Sequence, residues 1–213
     1  MSFNMTFPSI RDLSYAIIDT IQLIISQGGG MFPEIETKRL KLRALVADDD
    51  AFIYKLRSHP DTFKYVDIVP YQDIQRAQRF IAAVQKDIET NEAFFWGIVN
   101  KESDEMVGTI CLWNFEPQEG AKVAAGVKAE LGYEVHPDYQ GKGFAKEAIG
   151  GVIEYARAFS QLKTIDAITH KDNIPSIKVL ERYAFEALGI AVAFDPEIEE
   201  GPEMLLFRLG LKD

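Results

Sequence analysis

From Leu40 onward the spacing of hydrophobic positions changes several times, and each change marks an element. Leu40, Leu42 and Ala44 alternate with Lys41 and Arg43, which predicts a strand with one buried face. Asp48 to Asp50 then precede Phe52, Ile53 and Leu56 at helical spacing, predicting a helix with a solvated acidic start. A longer helix is predicted over Asp73 to Glu89, where Ile74, Ala77, Phe80, Ile81, Val84 and Ile88 share one face. Strands follow at Phe94 to Val99 and Met106 to Trp113, joined as a hairpin through the polar turn Asn100 to Glu105. Beyond a Gly/Glu-rich loop, Ala129 to Val135 is strand-like. Ala148, Ile149, Val152, Ile153, Ala156 and Phe159 then line one face of a helix. A strand at Thr164 to Thr169, a helix at Asn173 to Tyr183, and strands near Ala187 to Phe194 and Met204 to Leu209 complete the series. An early antiparallel run and a later strand-helix-strand unit place the chain in the α/β class with a mixed sheet.

Residues 1 to 27 stand apart. Ile10, Leu13, Ile17, Ile18, Ile21, Ile24 and Ile25 recur at three- and four-residue steps, so an amphipathic helix is predicted, with Ser9 able to cap it. It is too short and polar for a membrane span, lacks the leader and cleavage site of a signal peptide, and is read as having no targeting role and no membrane contact. Gly28-Gly29-Gly30 forms a break, dividing an extension at 1–30 from one domain at 31–213. The extension would pack on the domain or on a second copy in a homodimer; Met31 as the natural start is the alternative reading.

Between the Ala129–Val135 strand and its helix lies Gln140-Gly141-Lys142-Gly143-Phe144-Ala145. Glycines permit close backbone approach, and a helix start points unpaired N–H groups at one spot, which suits an anionic phosphate. A P-loop requires four residues between its first glycine and Gly-Lys-Ser/Thr, a spacing found nowhere here. Gly141 and Gly143 begin a dinucleotide fingerprint, with Asp166 at a tolerable distance. Lys146 occupies its third glycine, however, and His136 to Gln140 intervene where a tight turn is required. The pattern Gln/Arg-x-x-Gly-x-Gly/Ala fits Gln140, Gly143 and Ala145.

Composition narrows the setting. With 213 residues, 47% of them hydrophobic, the chain can build one substantial core. Acidic residues outnumber basic ones 33 to 23 without a dense Lys/Arg run, which disfavours nucleic acid as a partner and suits cationic amines. Cys111 is the single cysteine, so neither an intrachain disulfide nor a thiolate metal cluster can form, and a cytoplasmic setting is expected. Among Val107, Ile110 and Leu112 it reads as a small core residue. His59, His136 and His170 have no metal-ligand spacing.

With the Gln140–Ala145 segment the chain resembles the GNAT superfamily of acetyl-CoA-dependent N-acetyltransferases, and within it the Rim-type acetyltransferases of ribosomal-protein N-termini. The likeness runs from about Met31 to the C-terminus. It includes Glu36-Thr37-Lys38-Arg39-Leu40-Lys41-Leu42-Arg43, Ala129-Glu130-Leu131-Gly132-Tyr133-Glu134-Val135, and Asn173-Ile174-Pro175-Ser176-Ile177-Lys178-Val179-Leu180-Glu181-Arg182-Tyr183-Ala184-Phe185. The family usually carries glycine where this chain has Ala184.

The resemblance implies a mixed, mostly antiparallel twisted sheet flanked by helices, whose central strands splay to admit acetyl-CoA. It implies that the backbone of Val135 binds the pantetheine and acetyl carbonyl. Gly141, Lys142, Gly143, Phe144 and Ala145 would hold the pyrophosphate, assisted by the Gln140 and Lys142 side chains, and Asn173 would contact the cofactor. Glu130 is the implied base, directly or through a water; Glu134 shares its strand face and rivals it. Ser176 is the implied proton donor to the departing thiolate, in place of a tyrosine that other members set closer to the asparagine than Tyr183. Asn173 also fits a helix cap, with Pro175 just inside. Tyr65, Tyr71, Phe95, Trp96 and Trp113 are candidates for the acceptor pocket or for the core. The implied reaction is metal-free acetyl transfer from acetyl-CoA to a primary amine, in the Rim type a protein N-terminal α-amine. Acetylation of a polyamine or aminoglycoside, or non-catalytic CoA binding, are the alternatives.

Overall fold

The computed structural model describes residues 32–65, 68–117, 126–190 and 203–211. The N-terminal helix, the Gly28–Gly30 break and the tail of the strand expected to reach Phe194 lie outside them. Among the described residues eight strands are formed: β1 Ile35–Glu36, β2 Leu40–Ala44, β3 Phe94–Asn100, β4 Glu105–Pro117, β5 Val127–Val135, β6 Leu162–His170, β7 Glu186–Ile190 and β8 Met204–Gly210. Four α-helices accompany them: α1 Asp50–Ser58, α2 Ile74–Glu89, α3 Phe144–Arg157 and α4 Ile174–Arg182. The strands form one sheet in the order β1-β2-β3-β4-β5-β6-β8-β7. Every neighbouring pair is antiparallel except β5–β6, which α3 connects as a crossover.

The alternation of side chains along the strands sends apolar residues to both faces and produces two cores. On one face Leu42, Trp96, Ile98, Ile110 and Leu131 pack with Ile149, Val152 and Ile153 of α3 and Leu180 of α4. On the other, Leu45 and Met106 pack with Ile53 of α1 and Ala77, Ile81 and Val84 of α2. Trp96, completely buried, satisfies its indole N–H by donating to the Pro33 carbonyl at 2.7 Å. Asp73 caps α2 by accepting from the Arg76 amide at 2.8 Å, which is why that helix begins where its sequence pattern does.

Three local features depart from the sequence pattern. The start of α1 is solvated only in part: Asp48 is exposed and Asp50 half-buried, but Asp49 is 8% exposed, makes two 2.8 Å hydrogen bonds with Arg43 and accepts the Val46 amide. Strand β4 continues four residues past Trp113, through a bulge between Trp113 and Glu116 where Asn114 takes φ 49°. Ala184, just past α4, holds φ 60°. The amides of Ala184 and Phe185 there turn back to the Glu181 and Leu180 carbonyls, closing the helix with a left-handed residue that glycine would adopt at lower cost.

The central event of the topology is where β5 and β6 part. Their parallel pairing covers Val127 to Glu130 against Leu162 to Asp166 and ends there. Beyond Glu130, β5 remains paired to β4 only, while β6 continues along β8. A wedge opens, with Leu131–Val135 offering a free strand edge.

Candidate active site

The mouth of the wedge is built by the Gln140–Ala145 segment. Gly141 and Gly143 take φ 74° and 80°, conformations that favour glycine, and Gly143 is the N-cap of α3. A helix start leaves its first amides without helical acceptors, here those of Phe144, Ala145 and Lys146, beside the cavity. The loop is braced from behind by the segment that precedes β2. Glu147, in the first turn of α3, accepts from the Arg39 amide at 2.6 Å, from Arg39 Nε at 2.7 Å and from Thr37 Oγ1 at 2.7 Å. Burial would push the Glu147 carboxyl up, but the bonds from Thr37 and Arg39 outweigh it and hold the group below the usual glutamate range. Arg39 also donates to the Lys142 carbonyl at 3.1 Å and lies over the Phe144 ring.

Two cavities meet inside. One, of about 610 Å3, runs from this loop along the free edge of β5; Val135, Gln140, Gly141, Gly143, Phe144, Ala145, Asn173 and Ser176 all border it. The other, of about 390 Å3, lies on the far side against β4 and β6, bordered by Arg57, Phe95, Cys111, Trp113 and His170 among others. Thr62, Tyr65, Tyr133, Glu134, Asn173 and Ser176 border both. At this junction Tyr133 Oη and Ser176 Oγ lie 2.6 Å apart. Asn173 caps α4 by accepting the Ser176 amide at 3.3 Å, which sets Ser176 in the first turn.

Two residues expected at the site border neither cavity. The Lys142 ammonium lies 5.0 Å over the ring of Tyr139, which itself borders the first cavity. Glu130 stands at the apex of the wedge, where the β5–β6 pairing ends, and accepts from Asn114 Nδ2 at 2.6 Å. Gln140 turns its amide back to the Val135 carbonyl at 2.9 Å, fastening the loop to the strand end. Tyr183 donates to the Lys146 carbonyl on the flank of α3, away from the junction.

Glu130, Gly132 and Glu134 follow one another on a single face of β5, opposite Trp113, Cys111 and Thr109 of β4. Glu134 borders both cavities, and both of its oxygens are held by Arg57 of α1, at 3.0 Å from Nε and 2.9 Å from Nη2. Arg57 in turn stacks 3.7 Å over Phe80 and donates to Tyr71. Cys111 is not sealed in the core; its side chain borders the second cavity, yet burial followed by the nearby Glu134 charge pushes its thiol up to about 12. It is therefore a neutral wall rather than a nucleophile. Of the aromatic candidates, Tyr65, Phe95 and Trp113 border that cavity, while Trp96 belongs to the core and Tyr71 backs Arg57. Among the described residues, no group of three His, Cys, Asp or Glu side chains could hold a metal ion, and no helix is long and apolar enough to cross a membrane.

Arg57 and Tyr133 went unassigned in the sequence. Arg57 meets Glu134 across 77 residues, and no motif marks it. Tyr133 sits inside the quoted Ala129–Val135 segment, and only the fold shows that it faces Ser176.

A splayed mixed sheet with a glycine-bearing helix start at its mouth and two cavities meeting inside defines an acyl-CoA-type transferase architecture. The acetyltransferase (GNAT) domain profile matches residues 39–186, and the chain belongs to this family of N-acetyltransferases. It is similar to the uncharacterized N-acetyltransferase p20 of Bacillus licheniformis, at 33% identity over 154 residues covering 72% of this chain and 83% of that one. Among solved structures, an acetyltransferase of the GNAT family from Bacillus anthracis aligns with TM-score 0.69 at 20% identity, covering 85% of this chain and 100% of that one. RimL, the ribosomal L7/L12 alpha-N-protein acetyltransferase in complex with coenzyme A, aligns with TM-score 0.68 at 15% identity, covering 84% and 98%. At such identities the two structures speak for the fold.

Proposed function

We propose that this chain transfers the acetyl group of acetyl-CoA to the α-amine of a protein N-terminus. The observation that carries the reading is the wedge: a free β5 edge, a helix start with two left-handed glycines at its mouth, and a second cavity joined to the first at Tyr133 and Ser176. In this arrangement the edge of β5 up to Val135 pairs with the pantetheine, and the amides of Gly141 to Ala145 take the pyrophosphate. Gln140 fixes the loop, and Asn173 holds the start of α4 against the cofactor.

The chemistry requires a neutral amine, a donor for the oxyanion and a proton for the departing thiolate. Glu130 is proposed as the base through water. Its carboxylate is held by one amide donor, whereas both oxygens of Glu134 are engaged by a guanidinium. Gly132, which has no side chain and borders the second cavity, is proposed as the place where water passes between Glu130 and the junction. Glu134 with Arg57 then forms a wall of the acceptor cavity. Ser176 supplies the proton to the thiolate. A polypeptide acceptor fits the rim of the second cavity, where Ile68 and Trp113 are 45% and 46% exposed. Support also comes from RimL, whose name describes a ribosomal-protein α-amine acceptor.

The test is acetyl-CoA binding followed by thiol release. Acetyl-CoA should raise the melting temperature where NADH does not, and Gly143→Val, which forces a branched side chain into a left-handed position, should abolish that protection. N-terminal peptides should release thiol faster than spermidine or an aminoglycoside. Faster release with the small amines would move the acceptor class; protection by NADH alone would overturn the reading.

A further inference from the structure

We infer that Tyr133 and Ser176 work as one proton-donating pair: Ser176 gives its proton to the departing thiolate and takes a replacement from Tyr133 in the same motion. The inference rests on the acetyl-transfer reading and extends it to a residue on the other wall of the wedge. Tyr133 comes from the free edge of β5 and Ser176 from the first turn of α4, so their 2.6 Å contact bridges the opening where the two cavities join. The Ser176 side chain is almost fully buried, and its backbone is fixed by Asn173.

A lone serine hydroxyl that gives up a proton becomes an alkoxide, a costly charge in a buried site. With the phenol in contact, the charge moves to a phenolate, and Tyr is the stronger acid, with an unperturbed pKa of about 10. Burial raises the Tyr133 pKa and the Ser176 bond pulls it down, so the phenol stays protonated through neutral pH. The step balances. The C–S bond of the tetrahedral intermediate breaks with its electron pair going to sulfur, sulfur takes the Ser176 proton, and Ser176 takes the Tyr133 proton. Water at the junction then returns to Tyr133 the proton that the amine lost on the Glu130 side. Tyr133 thus acts through Ser176 as a relay and positioning residue.

Tyr133→Phe keeps the ring and removes the proton. It should lower kcat about 100-fold, within the range of general acid catalysis, with the KM for acetyl-CoA little changed. The alkaline limb of the kcat profile should move out of range, because the remaining Ser176 hydroxyl does not titrate there. The Tyr133→Phe/Ser176→Ala double variant should be no slower than the slower single variant, as expected for residues acting as a unit. A readout without an acceptor is the thiol pKa of bound coenzyme A, followed by thiolate absorbance: the donor pair should hold it lower in the wild type than in Tyr133→Phe. Equal thiol pKa values in the two complexes, or an unchanged kcat and alkaline limb, would overturn the pair. A lowered thiol pKa in a protein that acetylates no amine would instead support the pair and remove the acetyl-transfer reading.

Discussion

Arg57 of α1 grips both carboxylate oxygens of Glu134 on β5, and the guanidinium plane lies 3.7 Å over the Phe80 ring of α2. This contact ties the helical pair α1–α2 to the strand whose free edge forms the wedge. Truncating Arg57 to Met would leave Glu134 unpaired and half-buried beside the acceptor cavity. The expected cost in stability is about 2–3 kcal/mol, at or just below the bottom of the range for breaking a fully buried pair, because both side chains keep some exposure. In urea denaturation the midpoint should fall without a change in slope. The KM for the acceptor should rise more than the KM for acetyl-CoA, since Arg57 borders the second cavity alone and Glu134 is the only member of the pair that also borders the first.

The track past Gly132 gives a second test. A Cβ at this position would stand 3.1 Å from Cys111 Sγ, a contact relieved by a shift of a few tenths of an ångström. Gly132→Ala should therefore fold normally while interrupting water between Glu130 and the junction. Its kcat should fall toward that of Glu130→Gln, expected to be about 100-fold below wild type, and its acetyl-CoA affinity should stay intact. A Gly132→Ala enzyme at full rate alongside a slow Glu130→Gln would remove the water track.

Ala184 holds φ 60° at the end of α4, where a Cβ is a burden. Ala184→Gly should stabilise the protein by about 1 kcal/mol, the cost of a left-handed non-glycine residue less the extra entropy of glycine in the unfolded chain. The gain should be visible as a higher melting temperature with unchanged kinetics. A loss of stability would mean that Ala184 is not held in this conformation in solution.

His136 predicts a pH dependence. Its Nδ1 accepts the Asp138 amide, so the neutral ring carries its proton on Nε2, which is buried with no acceptor among the described residues. Burial, then the nearby Lys55 and the His59 ring, lower its pKa, with Asp138 opposing them. The unfolded histidine takes up its proton near pH 6.5, whereas the native one resists until lower pH. Stability is therefore lost as pH falls from about 6.5 through the depressed native pKa. His136→Gln should flatten this part of the stability–pH curve relative to wild type. Identical slopes between pH 7 and pH 5 would contradict the assignment.

Much of this was legible in local patterns, and the reasons for the exceptions are physical. The α3 helix and its glycine loop announced themselves because a phosphate-type helix start is encoded in contiguous residues. The burial of Asp49 within an otherwise solvated helix start escapes the sequence pattern, because hydrophobic spacing cannot show that Arg43, one strand earlier, folds back onto its carboxylate. Cys111 was placed in the core by its apolar neighbours, but the alternation of β4 turns it to the face that the parting of β5 and β6 leaves open. Arg57 and the pairing of Tyr133 with Ser176 depend on contacts across 77 and 43 residues, which no local period records.

Acetyl transfer to a peptide α-amine is tested most directly by mass spectrometry of a short N-terminal peptide that also contains lysine, after incubation with protein and acetyl-CoA. A single acetyl group should appear on the α-amine, with one equivalent of thiol released, and both should be lost together in Glu130→Gln. Acetylation confined to the lysine side chain, or none on any peptide while spermidine is acetylated rapidly, would contradict it.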